Sequence, residues 1–522
     1  IEVNFGSAFA RYIKIKQTGS APNNFWSIAE VNVFHEDDIH IRRALETRFG
    51  TLADEALDAF QDTWITTTDL NNVKNMGMNV VRVPFFFKEI MNEDGSIKTN
   101  GYKQLDWVIN QCKSRKIYVI LDLHGAPGGI NGFITSGEAD ANFYWTDPAA
   151  RTKTINLWKN IATRYQNEPT VAMYDVLNES LIPEATRPLL PGADYAQKVA
   201  PFFDELYQGI RSVDPNHIIC FNAFGSWESI TAPSYKNWQN VVYQVHDYWL
   251  ENAGNPAGMN YSIDAGIKRM ASYQHKWNIP VYYGEFSLWG DISNWERMMR
   301  GMNNLGASWT NWAYKMTNIE SGNLVNRSLY RGVPGTNYGA LAPNLVYDSF
   351  TTVKSKWSAF PTSVLQANTT LINTIQSYTT TPPAAVPLRR TIWLQSRQGY
   401  YVCTEGYTNQ MRANRTSVSA WEVFKVVDAG GGKIALKGSN NMYVSMLNDS
   451  TLYCNKPSIG ANETFSFIQV GDWKVGLMGS NKKFVAADED PARNKKVTCR
   501  GDMIGDWESF TWGDAPTDVA IA

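Results

Sequence analysis

Two glutamates in this chain stand at the ends of short apolar, β-prone runs. The first run reads Val171-Ala-Met-Tyr-Asp-Val-Leu-Asn-Glu179, the second Pro280-Val-Tyr-Tyr-Gly-Glu285. Two carboxylates that face one another are the minimal equipment for breaking a glycosidic bond: one gives a proton, the other attacks. In the first run an asparagine, Asn178, directly precedes the glutamate.

Further residues give that pair a setting. Arg82 lies inside the apolar run Asn79-Val-Val-Arg-Val-Pro84, where an unpaired charge is costly, so it needs a carboxylate; Glu285 is the expected partner. His124 closes Leu121-Asp-Leu-His124, His246 and Tyr248 close Val245-His-Asp-Tyr248, and Trp312 closes Ala307-Ser-Trp-Thr-Asn-Trp312. Groups placed at the same end of successive parallel strands converge in space, which is how a (β/α)8 barrel builds a site. Seven such strands can be read between about 40 and 360, with helical runs such as Ala150–Tyr165 and Tyr195–Val213 between them.

The rest of the chain bounds this reading. At 522 residues it is too long for one core. Lys+Arg number 48 against 50 Asp+Glu, which argues against a nucleic-acid surface or a polybasic membrane anchor. The aromatic complement, 19 Trp, 25 Tyr and 23 Phe, suits stacking on sugar faces as well as packing. Cys112, Cys220, Cys403, Cys454 and Cys499 form no CxxC and read as small buried hydrophobes. His35 and His40 with Glu36, Asp37 and Asp38 fit no tetrahedral spacing and read as a solvated polar turn; no metal or other cofactor is expected.

Past a Thr/Pro-rich stretch ending at Pro387, three related segments begin at Ile392, Ile434 and Val475, each later carrying Glu-x-Phe: Glu422/Phe424, Glu463/Phe465 and Glu508/Phe510. Three all-β copies argue for a threefold pseudosymmetric barrel. The expected organisation is a β-sandwich remnant over 1–35, a (β/α)8 domain over 36–365, a linker over 366–387 and an all-β trefoil over 388–514. The fold class is thus α/β, a TIM barrel with a β-trefoil appended.

The blocks Asn79–Pro84, Leu121-Asp-Leu-His-Gly-Ala-Pro-Gly128, Leu177-Asn-Glu179, His246-Asp-Tyr248, Gly284-Glu-Phe286 and Trp312 together resemble family 5 of the glycoside hydrolases. Asp122–Phe133 and Trp64-Ile-Thr-Thr-Thr-Asp69 are similar to its exo-β-1,3-glucanase branch. The resemblance implies retaining hydrolysis of a β-linked glucan, with Glu179 as acid/base and Glu285 as nucleophile. It also implies that Arg82, His124, Asn178, His246, Tyr248 and Trp312 line the subsite of the sugar that is cleaved. It further implies a secreted or cell-surface monomer acting on poly- or oligosaccharide. One departure stands out: the first strand of that branch has no counterpart here, so either residues 1–35 replace it or it lies upstream of Ile1. Residues 1–35 resemble the last strands of a discoidin-like sandwich, and 388–514 a fascin-like trefoil. Other β-glycans (β-1,6-glucan, mannan) and a non-catalytic glycan-binding role are the alternatives. A phosphate-binding barrel would need a Gly-rich loop after the seventh strand, which is lacking.

Overall fold

The computed structural model describes residues 37–183, 194–487 and 495–519. The discoidin-like remnant expected over 1–35 lies outside them. Three helices lead in: α1 (Asp38–Phe49), α2 (Ala53–Trp64) and α3 (Thr67–Asn75). Asp37 is buried and caps α1, accepting from the His40 amide at 2.9 Å and from the Ala139 amide at 2.8 Å. Asp37 and His40 are therefore held in a helix cap rather than a solvated turn, while His35 and Glu36 lie outside the described residues.

Strands and helices then alternate: β1 (Val80–Phe86), α4 (Lys103–Arg115), β2 (Tyr118–Gly125), α5 (Pro148–Tyr165), β3 (Val171–Asp175), α6 (Tyr195–Arg211), β4 (Ile218–Asn222), β5 (Val241–Asp247), α7 (Pro256–Trp277), β6 (Val281–Phe286), α8 (Ile292–Leu305) and β7 (Ser308–Trp309). All seven strands are parallel and lie in chain order, the arrangement of a (β/α)8 barrel. Their near-continuous apolar runs follow from burial on both faces. The helices cover the outside with one face each. In α8 this face is Trp295, Met298, Met299, Met302 and Leu305, at positions i, i+3, i+4, i+7 and i+10.

β1 pairs only with β2, and β7 only with β6, so among the described residues no strand joins β7 back to β1. The expected first strand lies outside the described residues. A cavity of about 1070 Å³ follows this seam, lined by Val81, Val83 and Phe85 of β1, by Trp309, and by Val73 and Trp107 of the covering helices. β7 is shorter than the run Ala307–Trp312 suggests. Its continuation still bonds to the β6 region, through Thr310 N to Tyr283 O and Trp312 N to Phe286 O, both 2.9 Å.

A short hairpin, β8 (Tyr330–Arg331) with β9 (Gln366–Ala367), encloses α9 (Tyr338–Leu341) and α10 (Phe350–Trp357) and is followed by α11 (Thr369–Thr379). The stretch 366–387, read as a linker, thus contains a helix. Leu371 and Ile375, one turn apart, bury themselves and let α11 pack on α8.

The C-terminal region is all β. Each sequence repeat supplies four strands: β10 (Thr391–Gln395), β11 (Tyr401–Cys403), β12 (Arg412–Arg415) and β13 (Val423–Gly430); β14 (Lys433–Gly438), β15 (Tyr443–Met446), β16 (Leu452–Lys456) and β17 (Ser466–Gly471); β18 (Lys474–Met478), β19 (Phe484–Ala487), β20 (Val497–Gly501) and β21 (Ser509–Asp514). The first and last strands of the copies pair around a ring: β10 with β13 and β21, β13 with β14, Ile434 with Phe465 ahead of β17, β17 with β18, and β18 with β21. Phe424, Phe465 and Phe510, the Phe of each Glu-x-Phe, are buried in one core. The glutamates close the turns: Glu422 accepts from the Ser419 amide, Glu463 from Gly460 and Glu508 from Gly505, at 2.7–3.0 Å. All five cysteines are buried and unbridged, as expected of small hydrophobes.

This barrel is docked rather than tethered. Ile468, Val470, Phe484 and Ile504 join the hydrophobic cluster that includes the outer faces of α7 and α8. Lys268 Nζ meets Asp506 at 2.8 Å, Ser272 Oγ accepts from Ile504 N at 2.8 Å, and Arg300 meets Asp472 at 3.3 Å.

Candidate active site

The carboxyl ends of the strands bring together all eight residues singled out in the sequence. Arg82 points up from β1 with its side chain only 3% exposed. Its Nη1 donates to Glu285 Oε1 at 2.6 Å, its Nη2 to Asn178 Oδ1 at 2.8 Å and its Nε to Asp175 Oδ2 at 2.9 Å. The partner expected for Arg82 is the one observed, with two more acids beside it: Asp175, and Asp122, whose Oδ1 lies 3.1 Å from Nη2.

Glu285, the penultimate residue of β6, accepts on its other oxygen from Tyr248 Oη at 2.7 Å. Burial alone would raise its pKa. His246, Arg82 and His124 nearby, with the Tyr248 hydrogen bond, outweigh burial and hold this carboxyl well below the usual range. It is therefore an anion at neutral pH. The same contact, added to burial, pushes the Tyr248 phenol up, so it stays a donor. Gly284 is required for close approach, since a Cβ there would strike the Gln244 amide oxygen and crowd His246 Nε2.

Glu179 sits just past β3 and is less buried. Its φ of 40° is in the left-handed region, a conformation that costs a non-glycine residue about 1–3 kcal/mol. Asn131 Nδ2 ties down its carbonyl at 2.9 Å. His246 Nδ1 lies 2.9 Å from Glu179 Oε1 and 3.7 Å from Glu285 Oε2. One terminal atom each from Glu179, His246 and Glu285 lie within 4.8 Å of one another. Such a trio has the donor types of a cation site, but both Glu285 oxygens are already engaged by Arg82 and Tyr248, so the arrangement is that of paired acids.

His124 Nδ1 pairs with Asp122 Oδ2 at 2.7 Å, and its Nε2 faces Asn178 Nδ2 at 3.2 Å. Because Arg82 fixes Asn178 Oδ1, the amide nitrogen must turn toward His124. Trp312 stacks on the His124 ring with centroids 5.4 Å apart and planes at 12°.

Sequence reasoning did not single out Asp122, Asp175, Asn222 or Gln244. Asn222 and Gln244 flank His246 Nε2 at 3.0 and 3.3 Å. Asp122 and Asp175 carried the same signal as Arg82, a lone charge inside an apolar strand, and matching acids to the arginine would have found them. Phe133 and Phe224 were also missed. They meet edge to face at 6.3 Å on the loops after β2 and β4, and the Phe133 amide donates to the Asn131 that holds Glu179.

Residues 45–318 match the cellulase model of glycosyl hydrolase family 5. The chain belongs to that family. Among characterised proteins it is 30% identical to a beta-xylosidase of Phanerodontia chrysosporium, over 53% of this chain and 62% of that protein. It is 29% identical to a glucan 1,3-beta-glucosidase of Candida oleophila, over 49% and 59%. The chain thus spans about three fifths of the length of these relatives. A solved endoglucanase, Cel5A of Thermotoga maritima, is 18% identical with a TM-score of 0.41, covering 60% of this chain and 90% of that one.

Proposed function

We propose that the protein is a retaining glycoside hydrolase that cleaves a β-linked glucan, with a β-1,3 or β-1,4 linkage. The observation that carries this reading is the closeness of the two carboxylates, whose oxygens come within 4.8 Å. Retaining enzymes hold their acids about 5–5.5 Å apart, whereas inverting ones leave room for a water between acid and sugar. Glu285 attacks the anomeric carbon as the ionised nucleophile. Arg82 and Tyr248 hold its charge and aim it. Glu179 protonates the leaving oxygen and then takes a proton from the water that releases the product. His246 bridges the two acids, Asn178 and His124 face the same sugar, and Trp312 forms its floor. Phe133 and Phe224 offer apolar faces beside the acid for the departing sugar.

The names of the relatives, glucan 1,3-beta-glucosidase and beta-xylosidase, suit an exo-acting β-glycosidase. We read the C-terminal three-repeat barrel as a fascin-like β-trefoil that binds glycan. Exposed Trp421 and Trp507, each directly before a capping glutamate of its repeat, are its candidate stacking surfaces. We also propose secretion or display at the cell surface, as a monomer. No helix among the described residues is long and apolar enough to cross a membrane.

The test is a product profile on defined β-glucans and xylosides, with the product anomer read by NMR and Glu285→Gln as the control. Release of a β-anomer that the control abolishes supports the reading. Initial release of the α-anomer overturns retention. Binding of glycans without cleavage overturns the enzyme in favour of a glycan-binding protein.

A further inference from the structure

The strand that carries Glu285 breaks its own alternation. Tyr282 of β6 packs with Ile120, Met173, Cys220 and Val242, a cluster drawn from five strands and no helix, so it faces into the barrel. Tyr283 packs in the outer core with residues of α7 and α8. Counting on by twos, Gly284 would face in and Glu285 out. The ladder with β5 prevents this: Val245 pairs with Tyr283 and His246 with Glu285, so Gly284 is one extra residue. Such a bulge re-aims the side chain that follows it. Here it turns Glu285 inward to Arg82 and Tyr248 and returns Phe286 to the outer core.

A bulge also disrupts the ladder locally. A side-chain bond spans this one. Asp247, between His246 and Tyr248, accepts from the Tyr283 hydroxyl. In the ladder Asp247 lies opposite Phe286, so the bond reaches back past Gly284 to the residue ahead of it. Tyr283 is buried, and α7 closes the pair off. A Cβ on Gly266 would come to 3.0 Å from Tyr283 Oη and 2.9 Å from the Trp249 ring. The other charged or titratable groups facing Asp247 are Arg269 of α7, His246 and Glu251. Burial pushes the Asp247 carboxyl up to about 6, which leaves it an anion at neutral pH.

We infer that Asp247 and Tyr283 are positioning residues, whose bond ties β5 to β6 across the Gly284 bulge and keeps His246 and Tyr248 in reach of Glu285. The chain neighbours of Asp247 are the two β5-side residues that meet Glu285: Tyr248 Oη at 2.7 Å and His246 Nδ1 at 3.7 Å. Asp247 and Tyr283 act from the outer side of the sheet, through these neighbours. The kinetic part of the inference rests on the glycosidase reading; the placement of His246 does not.

The experiment has two arms. Tyr174→Phe is the matched control, since Tyr174 Oη also donates to an aspartate, Asp214, at 2.8 Å, ahead of β4 and away from the glutamates. On an aryl β-glycoside, Tyr283→Phe is expected to lower kcat about tenfold with KM within about twofold, while Tyr174→Phe changes neither. Asp247→Ala, which breaks the same bond from the other strand, should reproduce the loss. Asp247→Asn, whose amide oxygen still accepts from Tyr283, should keep kcat within about threefold. Equal losses in Tyr283→Phe and Tyr174→Phe, or no rescue by Asp247→Asn, overturn the proposal. The second arm follows the ring nitrogen resonances of His246 by NMR in histidine-labelled protein. They are expected to be displaced in Tyr283→Phe and in place in Tyr174→Phe. Resonances unmoved in Tyr283→Phe overturn the proposal whether or not the protein cleaves glycosides.

Discussion

The molecule contains two β-systems that treat polar residues in opposite ways. The parallel sheet of the (β/α)8 region carries Arg82, Asp122, Asp175 and Glu285 within its interior, all nearly without exposed side-chain surface. The C-terminal barrel keeps its core apolar, with Phe424, Phe465 and Phe510 at equivalent places, and uses its glutamates to close turns. One system closes on itself through repeated pairing, while in the other no strand among the described residues joins β7 to β1. Buried charge in the first is stabilised only by mutual partners, so removing one partner has large effects. In the second, stability is spread over three equivalent copies. Chemistry is concentrated where the packing is least forgiving.

Several substitutions probe that contrast. The greatest effect is expected from Glu285→Ala, which should lower kcat roughly 10⁴-fold or more and regain turnover with azide, giving a glycosyl azide of opposite anomeric configuration. Activity near wild type in a steady-state assay would remove Glu285 from the nucleophile's role. On the other side, Phe465→Ala should cost about 3–5 kcal/mol of C-terminal barrel stability in denaturant unfolding, while kcat on a short oligosaccharide stays unchanged. If kcat falls as steeply as stability, the two systems are not separable.

A chain ending at Pro387 sharpens the boundary further. It should still hydrolyse short oligosaccharides and bind polymer more weakly. Its melting temperature should drop by roughly 5 °C, because α7 and α8 lose the cover of Ile468, Val470 and Ile504. An unchanged melting curve would mean the docking contributes nothing.

The smallest effect concerns pH. Glu285 titrates near 2 in the folded protein against an ordinary value of 4.5. Its folded pKa is lowered, so its contribution to stability is complete above about 4.5 and is lost as pH falls toward 2. The Glu285 contribution to unfolding free energy should be level from pH 7 to about 5 and then decline. Glu285→Gln should make that decline shallower, and an identical slope in both proteins would argue against the low value.

The architecture was legible because parallel strands covered on both faces must be apolar along their length, and the residues that break this rule at strand ends are few. The same rule, applied to Arg82, led to Glu285. It stopped short at Asp122 and Asp175 because each lay next to a more conspicuous residue, His124 in one case and the Asn178-Glu179 pair in the other. Helix α11 was hidden by composition: threonines and the nearby Pro run read as linker, while Leu371 and Ile375 have a partner only once α8 is in place. The docking of the C-terminal barrel was illegible for a related reason. Ile468 and Ile504 alternate like any strand or loop residue, and only the fold shows that they face α7 and α8 rather than their own core. Phe133 and Phe224 are far apart in sequence, and no periodicity links them.

The grip on α7 and α8 has a consequence for inheritance. α7 leads into β6 and α8 leaves it, so the strand that carries Glu285 is flanked on both sides by helices held by the C-terminal barrel. A recombination event that exchanged this barrel for one from another gene would carry along a foreign face, with nothing matched to Lys268, Ser272 and Arg300. The two regions therefore travel best as a single heritable unit, and shuffled descendants would have to repair the junction before any gain in substrate range could be selected.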